Sequence, residues 1–253
     1  MKKSSRTIFH KFFKPICSFN AMVVFIYPPQ WFYGKDLLID LVSILTLSLV
    51  AFFSFRYYLI NKNNRNYLYL TVSFLLIALA FACKILTYFT IYYHIIETKH
   101  IGALTLTYQT IKSSDILFFL GYLLYRFLTL VGLYALYLIY QKDHSKSTIF
   151  LIVYLLLISA YFSNNAYYLF NITSLMLLIL ISRAFFKNYT LRGSQPSRLI
   201  FYSFSIISLS QIIFIFIKIN SLLYVFAEIV QLIGYILLLV AFIQVLRNAK
   251  KKK

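Results

Sequence analysis

The stretch that decides the fold runs from Ser147 to Lys187: STIFLIVYLLLISAYFSNNAYYLFNITSLMLLILISRAFFK. No charged residue occurs in it before Arg183. A spanning helix takes about 20 residues to cross a hydrocarbon layer of about 30 Å, so this run is about twice the length of one crossing. Peptide groups inside lipid must be paired within their own helix, so the chain must turn somewhere in the middle. Ser163-Asn164-Asn165 supplies turn residues there. The stretch therefore reads as two helices, 147–163 and 165–187, joined by a tight hairpin. The first of the pair is marginal in length, and a re-entrant pair would leave five crossings in the chain instead of seven.

Outward from this hairpin, apolar runs recur at 36–60, 67–93, 114–140, 198–218 and 222–247. Of the 253 residues, 61% are hydrophobic and only 12% charged, and mean hydropathy is +0.79. A water-soluble domain is about a quarter charged, because its surface must be solvated. The composition instead describes a chain whose outside faces lipid. With 6 Gly and 4 Pro, little interrupts the runs. The expectation is an all-α, polytopic transmembrane helix bundle with seven spanning helices and no soluble catalytic domain. Its organisation is a basic N-terminal segment (1–33), a transmembrane domain (34–247) and a basic tail (248–253).

The net charge of +19 is placed at helix ends, in short loops and at the termini. That suits contact with anionic headgroups, and it excludes nucleic acid as a partner, since no soluble basic module is present to bind it. Seven crossings put Arg56, Lys62, Arg65, Lys142, Lys146, Arg183, Lys187, Arg192, Arg198 and Arg247 on one side. The other side receives Lys99, Lys112 and Lys218 from its interhelical loops. The positive-inside rule then predicts a multi-pass protein of the plasma membrane with its N-terminus outside and its C-terminus cytoplasmic. Lys2, Lys3, Arg6, Lys11 and Lys14 run against that assignment. The segment could be a signal sequence with Ile16 to Tyr27 as a poor core, a mis-called start ahead of Met22, or an extra crossing or amphipathic anchor. No small-residue cleavage site follows it, so a mis-called start or a surface anchor is preferred. Trp31, Phe32 and Tyr33, with Tyr57, Tyr58, Tyr67 and Tyr69, stand where aromatic residues favour the headgroup boundary.

Ionisable groups well inside a spanning helix cost at least a few kcal/mol on insertion scales. Lys84, Arg126 and Glu228 are such groups, with Gln211, Gln231 and Asp40 as polar company. At a rise of about 1.5 Å per residue, Glu228 lies about 9 Å from the outer boundary, Gln211 about 10 Å, Lys84 about 14 Å and Arg126 about 18 Å, with Asp40 near the outer end of the first helix. Helical spacing places Tyr224, Glu228, Gln231 and Tyr235 on one face, as it does Tyr122, Arg126 and Thr129, and Ala80, Lys84, Thr87 and Tyr88. A charge-paired network of Lys84, Arg126 and Glu228 would hold two cations against one acid. Asp40, Asp115 or an anionic ligand would offset the surplus. The plainer reading is helix packing alone, with Lys84 snorkelling to the headgroups.

Other signals are weak. His94, Glu97 and His100, at steps of three in the longest interhelical loop, do not converge as a metal site and read as solvated loop residues. Cys17 and Cys83 form neither a metal spacing nor a disulfide framework. Asn171-Ile-Thr173 and Asn188-Tyr-Thr190 fit the glycosylation pattern, but one is intramembrane and the other cytoplasmic by the predicted topology. No phosphate-binding glycine loop, zinc motif, serine elbow or paired acidic motif is found, so no enzyme activity, cofactor or metal is expected. A retinal protein would need a lysine in the middle of the last helix, where this chain has Ile233 to Leu238.

Three stretches carry a resemblance: Tyr33-Gly34-Lys35-Asp36; Tyr67 to Phe74 with Phe81-Ala82-Cys83-Lys84; and Tyr224 to Gly234. They resemble an uncharacterised archaeal family of seven-helix integral membrane proteins, and the layout looks like the seven-helix sensor module of some histidine kinases. The resemblance implies a membrane-embedded sensing or interaction module, not an enzyme. Few residues follow Arg247, unlike in the kinases, so either output is expected to pass through a partner membrane or signalling protein, or signalling is not the role. The leading expectation is a receptor-like or scaffolding module. The alternative is a small transporter or ion-conducting subunit, although broken helices and internal repeats are not evident. An intramembrane enzyme ranks last.

Overall fold

A computed structural model describes residues 29–32, 34–60, 62, 66–100, 104–139, 146–163, 166–193 and 195–251, with the backbone alone for 30, 60, 89–100, 104–118, 146–148, 192, 246 and 248–251. The basic segment with Cys17 and Met22 lies outside these residues, as do Tyr33, Lys142, Asn164 and Asn165 and the side chains of Lys99, Lys112 and Asp115.

After a short 3-10 turn (Gln30–Phe32) the described chain is helical: α1 (Lys35–Ile60), α2 (Asn66–His100), α3 (Leu104–Leu138), α4 (Lys146–Phe162), α5 (Tyr168–Arg192), α6 (Gln195–Ile215) and α7 (Leu222–Lys251). Local chemistry sets several of these ends. Gly34, at φ 82°, makes the left-handed turn into α1. Gly193 closes α5 at φ 61° with its N–H on the Tyr189 carbonyl. The Asn220 side chain accepts the Leu222 N–H at 2.9 Å where α7 starts. The hairpin falls where the turn residues predicted it: Ser163 follows α4, and its hydroxyl donates to the Ala160 carbonyl at 2.6 Å.

Six of the helices are long and apolar enough to cross a membrane. The exception is α4, with 17 residues; at about 1.5 Å per residue it falls short of a hydrocarbon layer of about 30 Å. Two boundaries differ from expectation. Helix α2 continues to His100 and α3 begins at Leu104, so His94, Glu97, Lys99 and His100 lie on a helix extending past the apolar span, not in a long loop. Lys112 likewise lies within α3.

Packing separates the six long helices from the short one. Neighbours run α1–α2–α3–α5–α6–α7 and back to α1, a closed ring, while α4 lies outside against α3 and α5. Contacts across the interior of the ring show the antiparallel course. On α2 and α7, Phe74 meets Phe242, Phe81 meets Tyr235 and Tyr88 meets Tyr224. Glycine lets two pairs approach closely. A Cβ on Gly132 of α3 would stand 3.0 Å from the Ser73 carbonyl oxygen of α2, and one on Gly234 of α7 would stand 3.2 Å from that of Ser203 on α6.

The burial pattern is that of a bundle in lipid. Leu38, Leu41, Leu45 and Phe52 of α1 are exposed, whereas Asp36, Asp40, Ser43 and Thr46 of the same helix are buried. The end where α1 and α7 start is here called the upper end. Among the described residues, Arg56, Lys62, Arg183, Lys187, Arg198 and Arg247 are exposed toward the lower end, and Lys35 and Lys218 at the upper end.

Candidate functional site

The ring brings three charged residues from three helices together in its upper part. Lys84 Nζ donates to Asp40 Oδ1 at 2.9 Å and to Glu228 Oε1 at 2.8 Å. Asp40 is fully buried, Lys84 is 6% exposed and Glu228 2% exposed. The faces named from helical spacing explain the meeting. Ala80, Lys84, Thr87 and Tyr88 are all buried on α2, as are Tyr224, Glu228, Gln231 and Tyr235 on α7. Asp36 and Asp40 are one turn apart on α1 and both turn inward.

Aromatic rings enclose the ammonium. Its Nζ lies 5.6 Å from the centroid of Phe81 and 5.7 Å from those of Tyr88 and Tyr125, within the range of cation–π attraction. Above it, the hydroxyls of Tyr88 and Tyr224 share a hydrogen bond of 2.9 Å. Phe32, from the turn before α1, is 4% exposed and packs with Ile217, Tyr224 and Val225 as a plug over that pair. Below it, Phe81 meets Tyr125 and Tyr235 edge to face, and Tyr125 meets Phe170 at a tilt, forming a floor drawn from α2, α3, α7 and α5. Trp31, by contrast, is 57% exposed beside Lys35, as suits a headgroup boundary; Phe32, expected in the same belt, is instead interior.

The remaining sequence candidates lie beside this cluster. Gln231 donates from Nε2 to the Tyr235 hydroxyl at 3.0 Å. Gln211 and Gln231 both line a small cavity beneath the floor, to which all six ring helices contribute. Arg126 is half-buried on α3 with its guanidinium 5.3 Å from the Tyr122 ring centroid.

Two expectations change. Asp40, not Arg126, is the third member in contact with Lys84, so the direct contacts set one cation between two carboxylates; the expected surplus of positive charge is reversed there. Lys84 does not snorkel, because both of its ion-pair partners are inside the bundle. Asp36, Tyr125 and Ser174 are interior residues that the sequence reading passed over. Asp36 was within reach, since an acid four positions before Asp40 shares its helix face. Tyr125 was not, because among 23 tyrosines nothing in the chain marks one as facing a lysine.

No family model matches this chain, and neither does any curated protein or solved structure.

Chemically, the cluster is a set of fixed charges held by three independent helices in a site of low dielectric. Asp40 keeps a second carboxylate oxygen, Oδ2, with no hydrogen-bond partner among the described residues. The arrangement ties α1, α2 and α7 together at one point.

Proposed function

We propose that the chain is a membrane-embedded receptor-like module in which the Lys84–Asp40–Glu228 cluster clasps α1, α2 and α7 and is the element that a ligand, lipid or partner helix acts on. One observation carries this reading: a fully enclosed lysine bonded to carboxylates on two other helices. Buried ion pairs are poor sources of net stability compared with apolar packing of similar volume. Their better-attested use is to hold one register or state of an assembly. Ionisable groups inside a membrane bundle are functional candidates for the same reason. The aromatic floor and the plug at Phe32 favour sensing over conduction, since they close the space above and below the cluster. No catalytic step is assigned to the module.

In this reading the protein is multi-pass in the plasma membrane. The lower end, with its exposed Arg and Lys side chains, is cytoplasmic and touches anionic headgroups. The cluster then lies in the outer half, where an extracellular or lipid-borne ligand reaches it first.

The test is native mass spectrometry of gently purified protein, followed by melting in nanodiscs with the lipids and small molecules that co-purify. A ligand that stabilises the wild type but not Glu228→Gln, in protein that still inserts, supports the proposal. Equal stabilisation of both forms overturns it.

A small transporter or ion-conducting subunit is the second reading, favoured by the spare carboxylate oxygen of Asp40. Ion or proton flux in proteoliposomes, lost on Asp40→Asn, would establish it instead.

A further inference from the structure

Most buried hydroxyl groups in this bundle share one habit. Ser73, Thr87, Thr129, Ser203 and Ser208 each donate to the carbonyl four positions earlier on their own helix, at 2.7 to 2.8 Å. Such bonds satisfy a hydroxyl where no water is at hand. Ser174 and Ser182 on α5 depart from it, and of these Ser174 borders a cavity with a second unpartnered group. Ser174 is 1% exposed, and its Oγ has no hydrogen-bond partner among the described residues. Gln211 on α6, 6% exposed, has the same deficit at its amide oxygen Oε1, and its Nε2 reaches only the Ser210 hydroxyl at 3.5 Å.

These two side chains line the same cavity, together with Thr129, Gln231 and Tyr235. Its volume is about 20 Å³. A water needs about 10–15 Å³ by this measure, and two to four polar partners. The two deficits are complementary in direction: Ser174 has a hydrogen to give, and Gln211 Oε1 has lone pairs to receive one.

We infer that a single water molecule is a fixed part of the ring interior, accepting the Ser174 hydroxyl hydrogen and donating to Gln211 Oε1. It fastens α5 to α6 beneath the aromatic floor, beside apolar contacts such as Phe185 on Phe204. The Thr129 oxygen and the Tyr235 hydroxyl line the same space and complete its set of partners from α3 and α7. A sodium ion suits the site less well, because no carboxylate lines the cavity to offset its charge. This site is separate from the Lys84 cluster and does not depend on the function proposed for it.

Full-length protein in nanodiscs tests the inference in two ways. A density map that resolves ordered water is expected to show one peak within hydrogen-bond distance of Ser174 Oγ and Gln211 Oε1. A dry cavity, or a Gln211 amide turned onto a protein donor, overturns it. Melting of Gln211→Met and Ser174→Ala gives the independent readout. With the water present, each substitution removes one of its bonds and lowers the melting temperature by about 2–4 °C. In a dry site each substitution removes an unsatisfied polar group, so a rise in melting temperature overturns the inference. Melting that differs between sodium and choline chloride, and loses that difference in Gln211→Met, assigns the site to a cation and also overturns it.

Discussion

Lys84 and Glu228 stand 144 positions apart in the chain, yet the Lys84 ammonium lies 2.8 Å from the Glu228 carboxylate, with Asp40 2.9 Å away on its other side. The contact joins the second helix to the last. Because α1 also packs on both α2 and α7, these charges stand at a three-helix junction, and their loss should be felt by the whole upper end of the ring.

Removing one member of a buried ion pair leaves an uncompensated charge and costs about 3–5 kcal/mol. Lys84→Met strands two carboxylates and is expected to be the most damaging single change, ahead of Glu228→Gln and Asp40→Asn. Replacing all three together, as Lys84→Met, Asp40→Leu and Glu228→Met, should recover most of the loss. Thermal melting in nanodiscs checks the order, and a triple variant less stable than Lys84→Met would contradict it.

Cation–π attraction to a desolvated cation is worth about 2 kcal/mol. Tyr125→Leu should therefore destabilise the fold, while Tyr125→Phe, which keeps the ring, should change it little. Equal losses in the two variants would mean that the tyrosine hydroxyl, not the ring, matters.

Phe32 covers Tyr224, which in turn covers the charged cluster. Phe32→Ala opens that cover. A water-soluble carbodiimide should then modify Glu228 several-fold faster, as read by peptide mass spectrometry. No change in the Glu228 rate would show that the plug does not control access.

The α6–α7 seam closes over Gly234, where an added Cβ would lie 2.5 Å from Ile207 Cγ1 and 3.2 Å from the Ser203 carbonyl oxygen. Overpacking of this kind costs about 1–3 kcal/mol. Gly234→Leu should lower the melting temperature, and a paired Ile207→Ala should return part of it. Failure of the pair to recover would place the strain on the backbone contact.

Membrane orientation can be read by labelling. Lys62 and Lys218 are both exposed at opposite ends of the ring. An impermeant thiol reagent added to intact cells should modify Lys218→Cys and spare Lys62→Cys. The reverse pattern would invert the topology proposed here.

Much of this was legible before any coordinates. Hydropathy marked every helix, because a segment in lipid must be apolar along its whole length and self-satisfied in its backbone. The turn at Ser163 was legible for the same reason. Helical periodicity also named the inward faces of α2 and α7, since a charged residue in a lipid-facing chain has only one acceptable direction. It was less reliable beyond the apolar spans. The polar residues His94, Glu97 and His100 looked like loop, yet the helix runs on through them, because a helix emerging into water no longer needs apolar side chains.

The amino-acid order alone specifies the class of molecule and the list of residues too costly to face lipid. Both follow from transfer free energies, which belong to single residues and short windows. Tertiary structure alone decided which of those residues meet. Periodicity gives each helix a face but no azimuth relative to its neighbours. Only the closed ring, with α4 left outside it, turned Asp40 rather than Arg126 onto Lys84, and set Ser174 and Gln211 about one small cavity.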